Sequence, residues 1–447
     1  MKRRAFLSRA ALGALLLPIL AACGSGSQGS DPSQGSAASG AAGDASAPTT
    51  PPTAFGETAD LPVSVEGSGS RFARVGGRYA AGIARLFTGG GSVTFYTDLT
   101  TMDTRVITAD PATGEYATAT TTDVTAPAQG EAAYSLTAST IVVEDDNGYA
   151  LVILGGPGTA SSAQDSEALT EEDEASTTAT DTTEGPARVD LLKIALADGT
   201  VSATTTLWDT GIVPEEQGTM AGLRLSTDGS VLIAQWGTDH IASVRTEDLS
   251  TVVSDPQDLD GYFSSRDACD YVTGEWEGGT LISLTDGTEV DPPETMTVSR
   301  IVGHIAYGVT WDGTEGLGAY DLSTGTEVDQ TGPIPDTVDL TTEAAYHDGY
   351  LVTIGQKYVE ARKPGDPAPA VSWSADSGRP IPSSATVLDD VLYLCFEDQP
   401  ETITLIDLTT GADITSTAYP SQTVAGVSPM AAVDAQSTII LATDWKS

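Results

Sequence analysis

The sequence predicts an all-β protein whose folded part is a β-propeller of about eight four-stranded blades, with seven as the alternative. Three observations carry that expectation. Beyond residue 22 helical periodicity is almost absent, and short β-branched or aliphatic runs such as Leu151-Val152-Ile153-Leu154 and Val391-Leu392-Tyr393-Leu394 fill the chain. A turn of the form Asp-x-x-Thr-Gly or Asp-Gly recurs between those runs. The 387 residues after position 60 are too many for one sandwich or small barrel and suit two domains or one large repetitive one.

Residues 1–22 read as a cleavable export signal. A basic start (Lys2, Arg3, Arg4, Arg9) precedes an apolar stretch from Ala10 to Leu20. That stretch is too short to cross a bilayer of roughly 30 Å as a helix, and Gly13 and Pro18 interrupt it. Leu20-Ala21-Ala22-Cys23 resembles a bacterial lipobox, in which the cysteine thiol is acylated and becomes the new N-terminus. Arg3, Arg4, Phe6 and Leu7 resemble a twin-arginine export motif, with Lys2 where Ser or Thr is usual. The expectation is a chain lipid-anchored through Cys23 on the extracytoplasmic face of the cell membrane. Residues 23–60, rich in Gly, Ser, Ala, Pro and Thr, show no apolar periodicity and read as a disordered tether. A flexible coil of about 37 residues spans roughly 35 Å.

The propeller is expected over residues 61–447. Its turns are Asp110 to Gly114, Asp198-Gly199, Asp248-Leu249-Ser250, Asp286-Gly287, Asp321 to Gly325, a weaker Lys363-Pro364-Gly365-Asp366, and Asp407 to Gly411. Asp321 and Asp407 are 86 residues apart with the weak copy midway, a period near 43, as four-stranded blades require. Glycine takes the positive φ of each turn and Asp caps it, so each turn closes the hairpin of a blade's outer two strands. Seven turns make seven blades. An eighth is expected from both chain ends, with Leu61–Glu66 completing the strands near 430–433 and 438–443, which leaves no open sheet edge. Residues 155–186 are acidic and without apolar pattern, and read as a disordered loop inserted between the second and third strands of one blade. Asn147-Gly148 is expected to turn a hairpin through two positive φ angles.

The best copies, Ala319-Tyr320-Asp321-Leu322-Ser323-Thr324-Gly325 and Leu405-Ile406-Asp407-Leu408-Thr409-Thr410-Gly411, resemble the quinoprotein-like (PQQ-like) propeller repeat. Val328, Ile414 and Tyr116 lie near where its closing Trp falls. In that family, quinone-dependent dehydrogenases use adjacent cysteines and a calcium-bound cofactor. This chain has no neighbouring cysteine pair, so the resemblance implies no cofactor here. Other members look like scaffolds without chemistry, among lipoproteins in particular.

Composition narrows the partners. The formal net charge is −43, and no basic residue occurs between Arg105 and Arg188. Such a field repels nucleic acid and anionic lipid headgroups, so no nucleic-acid binding is expected. Cys269 and Cys395 lie about three repeats apart, which argues against the approach of about 7 Å that a disulfide needs. His240, His304 and His347 fall in different blades, without metal-ligand spacing. Asp258-Leu259-Asp260-Gly261 with Asp267 echoes a calcium loop, but Pro256 holds the first ligand position. No metal, no cofactor and no catalytic constellation is therefore expected.

Two functions compete at this level. One is a non-enzymatic binding or scaffold lipoprotein whose propeller face takes a protein or small-molecule ligand. The other is a propeller enzyme, either a quinone-dependent dehydrogenase or a metal-assisted lyase or lactonase. Capture of sugars or peptides for a transporter is weaker, because two-lobed α/β folds usually do that work.

Overall fold

A computed structural model describes residues 50–59, 71–85, 92–121, 123, 135–144, 146–155, 187–209, 221–237, 240–254, 269–273, 280–294, 296–310, 316–328, 343–399 and 401–444. Their strands fall into eight antiparallel sheets, the blades of a β-propeller. Blade 1 holds Arg71–Gly76, Tyr79–Arg85, Ser92–Asp98, Thr104–Ala109 and Tyr116–Thr120; blade 2 holds Ser135–Glu144, Asn147–Gly155, Ala187–Ala195 and Thr200–Asp209. Blade 3 holds Ala221–Leu225, Val231–Trp236, His240–Arg245 and Thr251–Val253. In blade 4 the described strands are Tyr271–Thr273, Leu281–Ser283 and Glu289–Val290. Blade 5 holds Met296–Val302, Ile305–Thr310, Gly316–Asp321 and Thr326–Val328; blade 6 holds Glu343–His347, Tyr350–Ile354, Tyr358–Arg362 and Val371–Ser374. Blade 7 holds Ser384–Leu388, Val391–Cys395, Thr402–Asp407 and Ala412–Ala418. The first strands of blades 6, 7, 8, 1, 2 and 3 touch in turn, so they line the axis and the last strands form the rim.

Blade 8 joins the chain ends. Gly426–Ser428, Ala431–Val433 and Ile439–Ala442 receive Phe55–Thr58 as their outermost strand. The expected closing strand is thereby corrected: Phe55–Thr58 does the work assigned to Leu61–Glu66, which lies outside the described residues. The ring thus reaches upstream of position 61, into the stretch read as tether. Phe55 explains the choice, since its ring packs edge-on against Tyr419 at 5.2 Å and Tyr393 at 6.3 Å, and Tyr393 donates to the Pro52 carbonyl. No other residue of the 23–60 stretch has an aromatic side chain to bury.

The core is divided among the seams. One buried cluster fills each, from Tyr79, Ile107, Ile141 and Val152 between blades 1 and 2 to Phe55, Tyr393, Leu405 and Val427 between blades 7 and 8. Each fully buried aliphatic or aromatic side chain contributes roughly 1.5–3 kcal/mol. Apolar residues on both faces of the middle strands follow, because each sheet packs against two neighbours.

Antiparallel pairing puts the turns inside a blade's first and last hairpins on one side of the ring, here the turn face. Links between second and third strands, and between blades, open on the other, the loop face. Gly155 pairs with Ala187 at the loop face, so the acidic insertion does leave and return between the second and third strands of blade 2. Residues 156–186 themselves lie outside the described residues, as do Pro256, Asp258, Asp260, Gly261 and Asp267. The first hairpin of blade 2 corrects another expectation. Asn147 and Gly148 sit in the strand, paired with Glu144 and Val143, and the chain reverses between Glu144 and Asn147, two residues earlier than expected.

Candidate functional site

The outer turns share one backbone closure. The amide of the fifth residue donates to the carbonyl of the first: Met102 to Asp98, Gly199 to Ala195, Leu249 to Arg245, Gly287 to Ser283, Gly325 to Asp321 and Gly411 to Asp407. That fifth residue has a positive φ in every case, from 58° at Leu249 to 79° at Gly199. Where Asp is first, its Oδ1 accepts the amide and hydroxyl of the third residue: Thr100 at 2.9 and 2.6 Å, Ser323 at 2.9 and 2.6 Å, Thr409 at 2.7 and 2.6 Å. The hydroxyls of Thr409 and Thr410, with the Thr409 amide, hold the Asp407 carboxyl below its ordinary pKa. The second residue fastens the turn to the inner turn of its own blade. Leu99, Leu196, Leu284, Leu322 and Leu408 donate to carbonyls of Arg78, Asp146, Asp270, His304 and Asp390 at 2.7–2.9 Å, and their side chains are buried.

Asp110 to Gly114 has the same closure but a different place. Blade 1 has a fifth strand, Tyr116–Thr120, and this turn joins the fourth strand to the fifth on the loop face. Pro111, with no amide hydrogen, fills the position from which the others donate. The true outer turn of blade 1 is Asp98-Leu99-Thr100-Thr101-Met102, identical to Asp407-Leu408-Thr409-Thr410-Gly411 but for its last residue. That match was readable from sequence, and Met in a glycine position hid it. The Lys363–Asp366 turn is tighter, with Asp366 donating to the Lys363 carbonyl and Gly365 at φ 85°.

Carboxylates latch three seams. Asp190 of blade 2, fully buried, accepts from Tyr116 Oη of blade 1 at 2.5 Å, Arg188 Nε at 2.5 Å and Thr206 Oγ1 at 2.7 Å. Burial and that hydrogen bond to Asp190 push the Tyr116 hydroxyl well above its ordinary range. Asp270 of blade 4 accepts the Thr227 amide of blade 3 at 3.1 Å and lies 3.4 Å from Arg224 Nη1. Burial raises its pKa although Arg224 opposes the shift. Asp348 of blade 6 accepts the Asp389 amide of blade 7 at 2.5 Å. Burial, with Asp389 and Asp390 beside it, lifts Asp348 to about 6.

The histidines stay apart. His304 is exposed on the inner turn of blade 5, and His347 is buried against Thr386 Oγ1 at 3.2 Å, where desolvation lowers its pKa to about 4. His240 lies at the loop face, its ring 5.5 Å from Trp236 in a parallel stack and 4.4 Å from Trp208. Trp208 ends the rim strand of blade 2 and is half-buried; Trp236 is buried, and no acceptor among the described residues meets its indole N–H. Cys269 and Cys395 form no disulfide, and burial pushes the Cys395 thiol up to about 12. Among the described residues no three His, Cys, Asp or Glu side chains group to hold a metal ion. Cys23, Leu20, Ala21, Ala22, Arg3, Arg4, Phe6 and Leu7 lie outside the described residues.

No family model and no curated protein matches the chain. It is similar to solved structures. BamB from Moraxella catarrhalis is 12% identical over 69% of this chain and 99% of its own, with a TM-score of 0.29. The β-propeller domain of Myceliophteria thermophila Cps50 (Swd1) is 10% identical over 58% of this chain and 93% of its own, with a TM-score of 0.33. The architecture rests on the eight sheets themselves and not on these likenesses.

The turn face repeats one closure in blades 1, 2, 3, 4, 5 and 7. His240 was singled out in the sequence only as one of three separated histidines, and nothing there pointed to its contact with Trp208.

Proposed function

We propose that this chain is a lipoprotein, held by acylated Cys23 on the extracytoplasmic face of the cell membrane, whose propeller binds a protein partner and catalyses no reaction. The observation that carries the reading is the closure of the ring by Phe55–Thr58. It leaves 28 residues from Cys23 to Thr50, enough for a coil spanning roughly 30 Å. A rigid ring on such a tether suits docking at a membrane, and the separation of His240, His304 and His347 favours binding over acid–base chemistry. The acidic balance favours a basic partner and disfavours nucleic acid.

Fractionation of cells expressing the full chain tests the anchor. Cys23→Ala is expected to move the protein from the membrane pellet to the soluble fraction, with Arg3→Lys/Arg4→Lys blocking export. A Cys23→Ala chain that stays in the pellet after a high-salt wash would overturn the reading.

A further inference from the structure

Phe55–Thr58 is a rim strand that no turn joins to the strand beside it, Ile439–Ala442. Its ladder pairs Phe55 with Ala442 and Thr58 with Ile440, and the register slips between them. Beyond the ladder, the Thr443 amide donates to the Ala54 carbonyl and the Ala59 amide to the Ile439 carbonyl, each at 2.9 Å. Twelve residues of sequence separate Thr58 from Arg71, where blade 1 starts. This strand can therefore leave its place without pulling a neighbouring strand with it.

The groove it fills reads the segment side chain by side chain. Asp444 Oδ2 accepts the Thr53 amide at 2.6 Å and its hydroxyl at 3.0 Å, the pair of bonds that Asp407 takes from Thr409 within a covalent turn. Tyr393 Oη donates to the Pro52 carbonyl at 3.0 Å. The Phe55 ring packs edge-on against Tyr419 and Tyr393, in a pocket shared with Val424, Val427 and Ile440. A Cβ at Gly56 would meet Thr443 Cγ2 at 2.5 Å, so glycine follows the aromatic. Glu57 and Thr58 are exposed, and there the reading ends. What the groove selects is an extended Thr-x-aromatic-Gly segment.

We propose that this groove between blades 7 and 8 is a strand-addition site for the partner protein, with residues 52–58 as its resident occupant. An extended partner segment carrying Thr-x-aromatic-Gly displaces the resident and pairs with Ile439–Ala442. Main-chain bonds to that strand edge supply affinity, and the aromatic pocket supplies selectivity. An incoming segment binds only the fraction of molecules whose closing strand is away, so whatever weakens the resident strengthens the visitor. The proposal rests on the protein-binding reading above and gives that partner its recognition sequence.

A fluorescent peptide of residues 51–59, titrated into the purified full chain in detergent and followed by anisotropy, tests it. Phe55→Ala removes the resident ring and leaves the groove intact. That variant is expected to bind the peptide about tenfold more tightly than the parent does, and to regain melting temperature as it binds. The same peptide with alanine in place of its phenylalanine is expected to do neither. Equal binding to the parent and to Phe55→Ala, or binding indifferent to the peptide's phenylalanine, would overturn the site. Should Phe55→Ala fail to fold, hydrogen exchange of the parent decides. The Ala59 and Thr443 amides, which bond across the junction, are expected to exchange about 100-fold faster than the Leu392 and Leu405 amides inside blade 7. A common rate would mean that the strand leaves only when the ring unfolds, and the proposal would fall. Anchoring through Cys23 is read separately by fractionation, so loss of one result does not entail loss of the other.

Discussion

Between blades 3 and 4, and again between blades 6 and 7, an inner-turn amide of one blade donates to an aspartate of the adjacent blade: Thr227 of blade 3 to Asp270 of blade 4, and Asp389 of blade 7 to Asp348 of blade 6. The surroundings have opposite sign. Asp270 has Arg224 against it, whose guanidinium also donates to the Cys269 carbonyl, and the Thr227 hydroxyl completes its shell. Asp348 instead faces Asp389 and Asp390, and the nearest cation, Lys363, lies 3.6 Å from Asp390 and is half exposed. Tyr350 donates to Asp390 as well, at 2.5 Å. The same backbone latch is thus neutralised at one seam and crowded with like charge at the other. A ring closed by its termini tolerates both, because the seams share the load of holding it shut.

Removing the counter-ion at the first seam should have the largest effect. Arg224→Ala leaves Asp270 buried without its cation, a loss expected to cost about 3–5 kcal/mol in denaturant unfolding. The folded pKa of Asp270 is already raised by burial, so its proton is bound more readily in the folded chain. The deficit of Arg224→Ala should therefore shrink as pH falls and grow as pH rises. A deficit independent of pH would mean that Arg224 acts only through packing.

The Asp190 latch between blades 1 and 2 is intermediate, since it holds both a cation and two hydroxyls. Tyr116→Phe deletes one donor and leaves Arg188 and Thr206, so a cost of about 1–2 kcal/mol is expected in the same measurement. At the crowded seam the effect is smaller and its sign depends on pH. Asp348, lifted to about 6 from an ordinary 3.8, stabilises the fold in its protonated form. That contribution is complete below about 4 and is lost as pH rises through about 6. Asp348→Asn keeps an acceptor for the Asp389 amide without the charge. It should be more stable than the parent by about 1 kcal/mol at pH 7, allowing for solvent screening, and indistinguishable from it near pH 4. Melting temperatures across that range check it.

These latches mark where reading the sequence stops. Blade number, the acidic insertion between second and third strands, and the glycine turns at Gly199, Gly287, Gly325 and Gly411 are local patterns, visible because one residue type serves one backbone need. The partners of Asp190, Asp270 and Asp348 lie up to 74 residues away in sequence, and only blade stacking decides which side chain meets which carboxylate. Tyr116 shows the difficulty most directly. It stands near the place of the missing repeat Trp, but the fifth strand that carries it, and the loop-face turn before it, depend on Pro111 and on packing against blade 2. The closing strand was misplaced for a similar reason: Phe55 is a single aromatic in a low-complexity stretch, and its value comes from Tyr393 and Tyr419 at the far end of the chain.

The smallest expected effect compares two turns of identical backbone. Met102 closes the outer turn of blade 1 at φ 60°, and Gly411 closes that of blade 7 at φ 71°. A residue with a Cβ is strained in this left-handed region by about 1 kcal/mol, offset in part by glycine's greater freedom in the unfolded chain. Met102 is exposed, so its side chain gives little back. Met102→Gly should stabilise the fold by about 0.5 kcal/mol, read as a rise in the midpoint of urea unfolding without a change in slope. Leu249 occupies the same position in blade 3 at φ 58°, but its side chain is buried in the seam with blade 2. Leu249→Gly relieves the same strain while removing that packing, and should therefore destabilise. If both substitutions shift the midpoint in the same direction, turn strain is not what distinguishes these positions.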